Sequence, residues 1–167
     1  MSWDTYVHQI QNTLDPETNN WSVTNVCLYA CVYGKDGSAW ATSPGFQLAT
    51  YEFDLMQEDG STKKVTCNEH SAVLKATTGD RKGGQEAGIR ICNQKYMFLQ
   101  ANEEGGVKYA VLSRQGGGGA CIAQTAQAVL VGVWEKGQQM SNGGTQNTGD
   151  CTKNVLTVAK NLAGAGY

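Results

Sequence analysis

The two histidines, His8 and His70, are the only imidazole groups in the chain that could act as general bases. A general base acts on a neighbouring nucleophile or substrate proton, and no Gly-x-Ser-x-Gly, His-Glu-x-x-His or Cys-x-x-Cys pattern supplies one. His8 falls on the polar side of a predicted N-terminal helix, and His70 lies beside Glu69 in a predicted short helix. We therefore expect both to be solvated surface residues, and we expect no enzymatic activity, cofactor or metal site.

Six cysteines could form three disulfides, supply a nucleophile or pack as thiols: Cys27, Cys31, Cys67, Cys92, Cys121 and Cys151. The opening residues 1–4 have no basic stretch followed by an apolar run, so they do not resemble a secretory signal peptide. Most of the cysteines lie in apolar stretches, where a free thiol behaves as a small core residue. We expect reduced cysteines in a reducing cytosol. A small hydrolase or redox enzyme is an alternative that rests only on the cysteine count.

The four-glycine run 116–119 has the composition of a phosphate-binding loop. Such a loop needs a helix start with a lysine and a hydroxyl residue after the glycines, whereas the residues 120–122 that follow are strand-like. We interpret the run as a flexible hairpin. The formal net charge of -2 argues against nucleic acid as a partner, and no apolar run approaches the ~20 residues of a transmembrane helix.

Large aromatic side chains stand at both ends of the chain. Trp3 and Tyr6 are one helical turn apart at the start, and Tyr167 is the last residue. Rings of this kind suit a groove for a proline helix, because they stack on prolines while the indole N–H and phenol O–H donate to the ligand's carbonyls. The plainer interpretation is that Trp3 and Trp40 pack the helices onto a sheet, and the two roles are compatible.

Apolar residues at helical spacing predict three helices. The first covers residues 1–15, with Trp3, Tyr6, Ile10 and Leu14 in one stripe, and ends at Asp15-Pro16. A short helix covers 68–77, with Asn68 as its cap. The last helix begins near Cys151-Thr152 and places Val155, Val158, Ala159 and Leu162 on one face.

Between the helices, short apolar segments joined by hairpin-length turns predict six or seven antiparallel strands. Eight segments are candidates for these six or seven strands, approximately 23–33, 38–41, 63–67, 88–92, 95–101, 107–112, 120–125 and 128–134. The order of the elements predicts an α+β fold with a central antiparallel sheet. We expect the N- and C-terminal helices on one face, the short helix on the other, and a single domain over residues 1–167.

Five segments resemble profilins in order and spacing. They are the opening Met1–Val7, the turn Asp36–Ala41, the stretch Asn93–Met97, the predicted last strand 127–135 and the final residues 149–167, which align with plant-type profilins without a gap. In the third segment, Asn93-Gln94 replaces the usual pair of glycines. Segments 54–67 and 138–148 are longer than is usual, so the chain resembles a divergent, protist-type profilin with extended loops.

The resemblance implies a polyproline groove between the terminal helices. Carried over residue by residue, the groove would consist of Trp3, Tyr6, Trp40, Asn161, Leu162 and Tyr167. Asn161 stands where other profilins carry His or Tyr, which implies one weakened contact.

The resemblance also implies an actin-binding face. It would use Lys75, Arg81, Lys82, Arg90, Ser113, Arg114, Gln115, Thr152, Lys153 and Thr157. We expect the Arg114 guanidinium to point outward and Lys153 to lie in the first turn of the last helix. Separated cations of this kind would orient an acidic partner and raise its encounter rate. Segment 138–148 would border this face.

The function implied is that of a cytoskeletal regulator in the cytoplasm, which binds monomeric actin and proline-rich proteins such as formins and controls actin polymerisation. We expect a monomer that binds phosphoinositides weakly at most, because its net charge is -2 and its cations are dispersed. The alternative is a small α+β protein-interaction module without actin binding. That alternative offers no reason for the coincidence of Trp3, Tyr6, Trp40 and Tyr167.

Overall fold

The computed structural model describes residues 2–14 and 17–167, so the expected helix end at Asp15-Pro16 lies outside the described residues. The elements in chain order are α1 (Asp4–Gln11), β1 (Thr13–Leu14), β2 (Trp21–Ser22), β3 (Tyr29–Gly34), β4 (Ala39–Thr42), β5 (Thr50–Met56), β6 (Thr62–Asn68), α2 (Glu69–Ala76), β7 (Ile89–Ile91), β8 (Gln94–Glu104), β9 (Val107–Arg114), β10 (Gly119–Gln124), β11 (Ala128–Trp134) and α3 (Thr148–Gly164). No helix within this described part is long and apolar enough to cross a membrane.

Seven strands form one antiparallel sheet in the order β4-β3-β11-β10-β9-β8-β7. Helices α1 and α3 cover one face, and α2 covers the other. Because both faces are covered, the central strand β11 is buried from Ala128 to Val133 and reads as a continuous apolar run. The predicted α+β class, the antiparallel sheet and the placement of the terminal helices are confirmed.

Gly132, in the middle of β11, sets how closely the terminal helices approach the sheet. A Cβ at this position would lie 2.6 Å from Val155 Cγ2 of α3 and 3.1 Å from Ile10 Cγ2 of α1. Next to this contact, the buried Asn154 side chain donates to the carbonyls of Ile10 and Asn12, both at 3.1 Å. The bonds satisfy polar groups at the end of α1 and join the two helices.

The buried carboxylate of Glu69 organises the opposite face. Its two oxygens accept hydrogen bonds from the backbone N–H groups of Ala49, Cys92 and Asn93 and from the Tyr51 hydroxyl. Glu69 has no exposed surface, and a buried charge is tolerable only when it is hydrogen-bonded in this way. Its position in the first turn of α2 also suits the helix dipole. One side chain thus joins α2, the approach to β5 and the β7–β8 turn.

Three local expectations are corrected. The first helix ends at Gln11, because Thr13–Leu14 pairs with Trp21–Ser22, so Leu14 is a half-exposed strand residue and not part of the helical stripe. The last helix begins at Thr148, since the Asn147 side chain accepts from the Asp150 N–H and caps it. His70 is only partly exposed, and its Nε2 donates to the Gly34 carbonyl at 2.8 Å, so the imidazole is tied to the fold and is not a fully solvated group. His8 is exposed, as expected.

The two extended segments are ordered in different ways. Residues 54–67 lie in the β5–β6 hairpin, a separate two-stranded sheet whose inner side chains pack on Ala87. The 138–148 loop is held against the segment that precedes β3. Ser141 donates from its backbone to Thr24 O at 3.0 Å, Gln146 donates to Asn25 O at 2.7 Å, and the side chain of Met140 enters the core.

We predict that Gly132→Ala destabilises the protein by ~1–3 kcal/mol, because the added methyl group overpacks the contact with α1 and α3. Gly164→Ala is the matched control, since nothing lies within 4 Å of a Cβ there and the residue is helical. The control should be neutral or stabilising by up to about 1 kcal/mol. Urea unfolding followed by circular dichroism measures both values. Equal stability of the two variants would contradict the packing role of Gly132.

Candidate functional site

Four aromatic rings from both ends of the chain and from β4 form one cluster. The Trp3 ring centroid lies 5.3 Å from that of Tyr6, 4.5 Å from that of Trp40 and 5.1 Å from that of Tyr167. Trp40 and Tyr167 also meet edge to face at 6.1 Å. These separations are typical of favourable aromatic pairs. All four side chains keep exposed surface, so the ring cluster is a surface site that rests on the core.

A tight turn between β3 and β4 positions Trp40. The Asp36 carboxylate accepts from the backbone N–H and the hydroxyl of Ser38, and these bonds lower the pKa of Asp36. Gly34 must lack a side chain, since a Cβ there would lie 2.9 Å from Trp40 Nε1. The Asp-Gly-Ser-x-Trp pattern therefore has a physical role, which is to close the turn and hold the indole against Gly34.

The end of α3 positions Tyr167. The Tyr167 N–H donates to Leu162 O at 3.0 Å, and Gly166, with a φ of 96°, makes the left-handed residue that such a helix end requires. Gln127 Nε2 donates to Gly166 O at 3.1 Å and ties the chain end to the β10–β11 turn. The last ring is thus fixed beside Trp3 by backbone bonds.

Two of the residues expected in the groove lie differently from the rings. Leu162 has no exposed surface, since it packs in the core among α1, α3 and the sheet. Its expected contact with a ligand is therefore corrected: Leu162 supports the rings from below. Asn161 is exposed and lines a separate cleft with Gln9 and Thr157.

The Arg114 guanidinium does not point outward. Its Nη2 lies 2.6 Å from Glu135 Oε1 and 2.9 Å from Gly117 O, and the side chain is only 17% exposed. Gly117 and Gly118 have φ values of 112° and 121°, which allow the loop to wrap around the arginine. Burial raises the pKa of the neighbouring Tyr96 to about 12. Arg114 therefore stabilises the β9–β10 turn and is not a free cation.

Two more of the expected cations also make intramolecular contacts. Arg90 lies 4.6 Å from the Phe53 ring centroid, and its Nε donates to the Tyr51 hydroxyl at 3.1 Å. Arg81 lies 5.1 Å from the ring centroid of Phe98. A cation over an aromatic ring is attracted by the ring's quadrupole. Arg90 thus joins β7 to the β5–β6 hairpin, and Arg81 joins the loop after α2 to β8.

The structure does not bring the ten residues of the expected actin-binding set onto one sheet face. Side chains along β9 alternate between the two faces of the sheet. Leu112 is buried on the α2 side, so Arg114, two residues later, lies on that side as well, whereas Ser113 lies on the α3 side. Lys153 lies in the second turn of α3, on the opposite side of the sheet from Arg114. Exposed members of the set are Lys75, Arg81, Lys82, Gln115, Lys153 and Thr157, and Thr152 is partly buried.

An exposed apolar pair on β8 was missed by the sequence analysis. Met97 is 55% and Leu99 is 52% exposed. Met97 pairs with Ser113 and lies on the α3 side of the sheet, and a β-bulge follows between Phe98 and Gln100. Helix α3 packs on β9, β10 and β11. It reaches β8 through the ion pair of Lys160 with Glu104 at the end of that strand, while Met97 and Leu99 stay exposed. Side chains of a strand alternate between its two faces. Since Tyr96 and Phe98 pack on the α2 side, the sequence could have shown that Met97 between them lies on the other face.

All six cysteines are free thiols, as expected, and five of them are buried. Burial raises the pKa of Cys31 and Cys121 well above the ordinary thiol range. A hydrogen bond from Cys27 and then burial raise the pKa of Cys151. Such thiols stay protonated and are poor nucleophiles. Among residues 2–14 and 17–167, no cluster of three or more His, Cys, Asp or Glu side chains could hold a metal ion.

Comparison with known proteins gives one consistent family. The family model for profilin matches residues 1–167. A profilin from Tetrahymena pyriformis is 33% identical over 167 residues, covering 99% of this chain and 98% of that protein. The structure of Acanthamoeba castellanii profilin IB superposes with a TM-score of 0.63 at 22% identity, covering 99% of this chain and all of that one. Mouse profilin IIa, solved in complex with a double repeat from the FH1 domain of mDia1, gives a TM-score of 0.56 at 15% identity over the full length of both chains.

We predict that only Cys92 reacts rapidly with a chromogenic disulfide reagent in the native protein, because it is the one thiol that keeps exposed surface. The reagent should titrate one thiol at once and all six after unfolding in urea. Cys92→Ser should remove the fast phase, whereas Cys67→Ser should leave it. A second fast thiol in the native protein would contradict the burial of the other five.

Proposed function

The chain belongs to the profilin family, and on that premise we propose that it binds monomeric actin and proline-rich ligands and so controls actin polymerisation. The role is one of binding: a shift in actin's nucleotide exchange would come from differential affinity for two states of actin and requires no bond-breaking chemistry. We further propose that the chain acts as one monomeric, non-enzymatic unit at the cytoskeleton in the cytoplasm.

The ring cluster of Trp3, Tyr6, Trp40 and Tyr167 is the observation that carries the polyproline half of the proposal. A proline helix has no internal hydrogen bonds, so its carbonyls need donors and its pyrrolidine rings need flat apolar surfaces. Trp and Tyr supply both. The mouse profilin of the same fold was solved with an FH1 repeat, which supports a formin-type proline-rich segment as the partner.

The exposed pair Met97 and Leu99 supports the actin half. A protein interface has an apolar centre and a polar rim, and Ser113 lies directly beside Met97. Family membership is the basis for naming actin as the partner. The site that we propose is therefore centred on the exposed β8 surface on the α3 side. Arg90 and Arg114 are not its contact residues, because both guanidinium groups already have partners within the protein.

The rival hypothesis is a small α+β interaction module without actin binding. Such a module would contain the same sheet and helices, but this hypothesis does not explain why the β3–β4 turn holds Trp40 beside Trp3 and Tyr167. The family match over residues 1–167 does not favour this alternative.

We predict that Trp3→Ala weakens binding to decaproline by at least ~30-fold, because Trp3 contacts the other three rings and loss of an aromatic hot spot costs about 2 kcal/mol or more. Isothermal titration calorimetry measures the change. Tyr29→Ala is the control, since Tyr29 is a half-exposed ring that stacks on Phe46 outside the cluster. Equal affinity of the parent and a folded Trp3→Ala variant would place the proline site elsewhere.

We predict that Met97→Glu weakens actin-monomer binding by about tenfold or more, since a charge replaces an apolar residue at the interface centre. The variant should bind decaproline as the parent does. Val23→Glu introduces the same charge at a residue that is 71% exposed in the segment before β3, and it should leave actin affinity unchanged. A sedimentation assay for unpolymerised actin measures both variants. An unaffected Met97→Glu protein would remove β8 from the actin-binding surface.

A further inference from the structure

A cleft of about 300 Å³ lies between α1, α3, the β1–β2 hairpin and the 138–148 loop. Its apolar lining comes from Val26, Met140, Leu14 and Trp21. Val26 and Met140 are buried and belong to the core, whereas Leu14 and Trp21 keep exposed surface. We call this space the flank cleft. It offers room for one large apolar side chain.

The flank cleft continues the seam between α1 and α3 that begins at the ring cluster. Gln9, one turn after Tyr6, lines it together with Asn161, the neighbour of Leu162. From Asn161 the cleft follows α3 back to Lys153, roughly 12 Å at the α-helical rise per residue. A proline helix, which advances 3.1 Å per residue, covers that length in about four residues.

Asp150 and Lys153 are the two charged residues that line the flank cleft. The Asp150 carboxylate already has a hydrogen-bond donor, because its Oδ2 accepts from the Asn147 side chain at 2.9 Å. Lys153 is exposed, and none of the ion pairs formed by the described residues includes it. The Lys153 ammonium is therefore available to pair with a carboxylate of a ligand at the rim of this cleft.

The walls of the flank cleft are preformed by hydrogen bonds. The Thr13 N–H donates to Thr24 Oγ1 at 2.8 Å, and Asn12 Oδ1 accepts from the backbone N–H groups of Thr24 and Asn25. The opposite wall, formed by the 138–148 loop, is held by the bond from the Ser141 N–H to Thr24 O. Little ordering is needed on binding, which favours affinity.

We propose that the flank cleft binds the residues next to the proline run of the partner, with a large apolar side chain in the cleft and an adjacent carboxylate at Lys153. The proposal rests on the proposed function, because the ring cluster must hold the proline run for its flank to reach the cleft. Selectivity among proline-rich partners would then depend on non-proline residues that follow or precede the run.

Five synthetic peptides test the proposal by calorimetry: decaproline, decaproline with Leu-Asp at its C-terminal end, decaproline with Asp-Leu at its N-terminal end, and two controls with Ala-Asn or Asn-Ala in those places. Because a proline run can shift along the groove one residue at a time, the Leu and Asp residues can reach the flank cleft without a fixed linker length. We expect one Leu/Asp peptide to bind about tenfold more tightly than decaproline, and both controls to bind as decaproline does.

Three variants assign the gain to the cleft. Trp21→Ala and Leu14→Ser should each abolish most of the gain and leave decaproline affinity unchanged. Lys153→Glu should weaken binding of the better Leu/Asp peptide and leave decaproline affinity unchanged. The readout for Lys153→Glu is the affinity of the better Leu/Asp peptide relative to decaproline, and Lys108→Glu, at an exposed lysine on β9, is the control for charge. Binding of decaproline without any gain from Leu/Asp would overturn the flank cleft alone. A gain that survives Trp21→Ala and Leu14→Ser would overturn it as well. If no peptide binds, the proposed function itself fails.

Discussion

The missing side chain of Gly132 determines how the rest of the molecule is arranged. Both terminal helices must cover the same sheet face, and the space above the central strand admits Val155 and Ile10 only because no Cβ intervenes. Helices seated this close bring the first and the last residues of the chain together. The ring contact between Trp3 and Tyr167 is therefore a consequence of core packing, and the surface site depends on the stability of α1 and α3.

The opposite face depends on a charge and not on a close contact. The Glu69 carboxylate accepts hydrogen bonds from three parts of the chain. Burial of the Tyr51 hydroxyl and its hydrogen bond to Glu69 raise the pKa of Tyr51. Arg90 in turn donates to the Tyr51 hydroxyl. The polar groups of this face thus stabilise the fold, whereas the surfaces that we propose for partner binding lie on α1, α3 and the exposed part of β8.

Much of this arrangement could be predicted from the sequence. Alternating and helical apolar spacing predicted the antiparallel sheet and both terminal helices, and the aromatic residues at positions 3, 6, 40 and 167 indicated the ring cluster. Three of the errors have a common cause, which is that a partner outside the local segment determines the outcome. Glu135, twenty-one residues away, turns Arg114 inward, and the Gly34 carbonyl orders His70. Pairing with Trp21–Ser22 removes Leu14 from the first helix. The early start of the last helix is a local effect, because Asn147 caps it by accepting from the Asp150 N–H three residues later.

The most direct test of the central claim is the response of the indole N–H signals in NMR spectra to decaproline. The chain has four tryptophans, and Trp134, whose Nε1 has no hydrogen-bond partner among the described residues, lies at the end of β11 outside the ring cluster. The account predicts that the signals of Trp3 and Trp40 shift together on titration while that of Trp134 stays in place. Shifts at Trp134 without shifts at Trp3 and Trp40 would contradict a proline site at the joined ends of the chain.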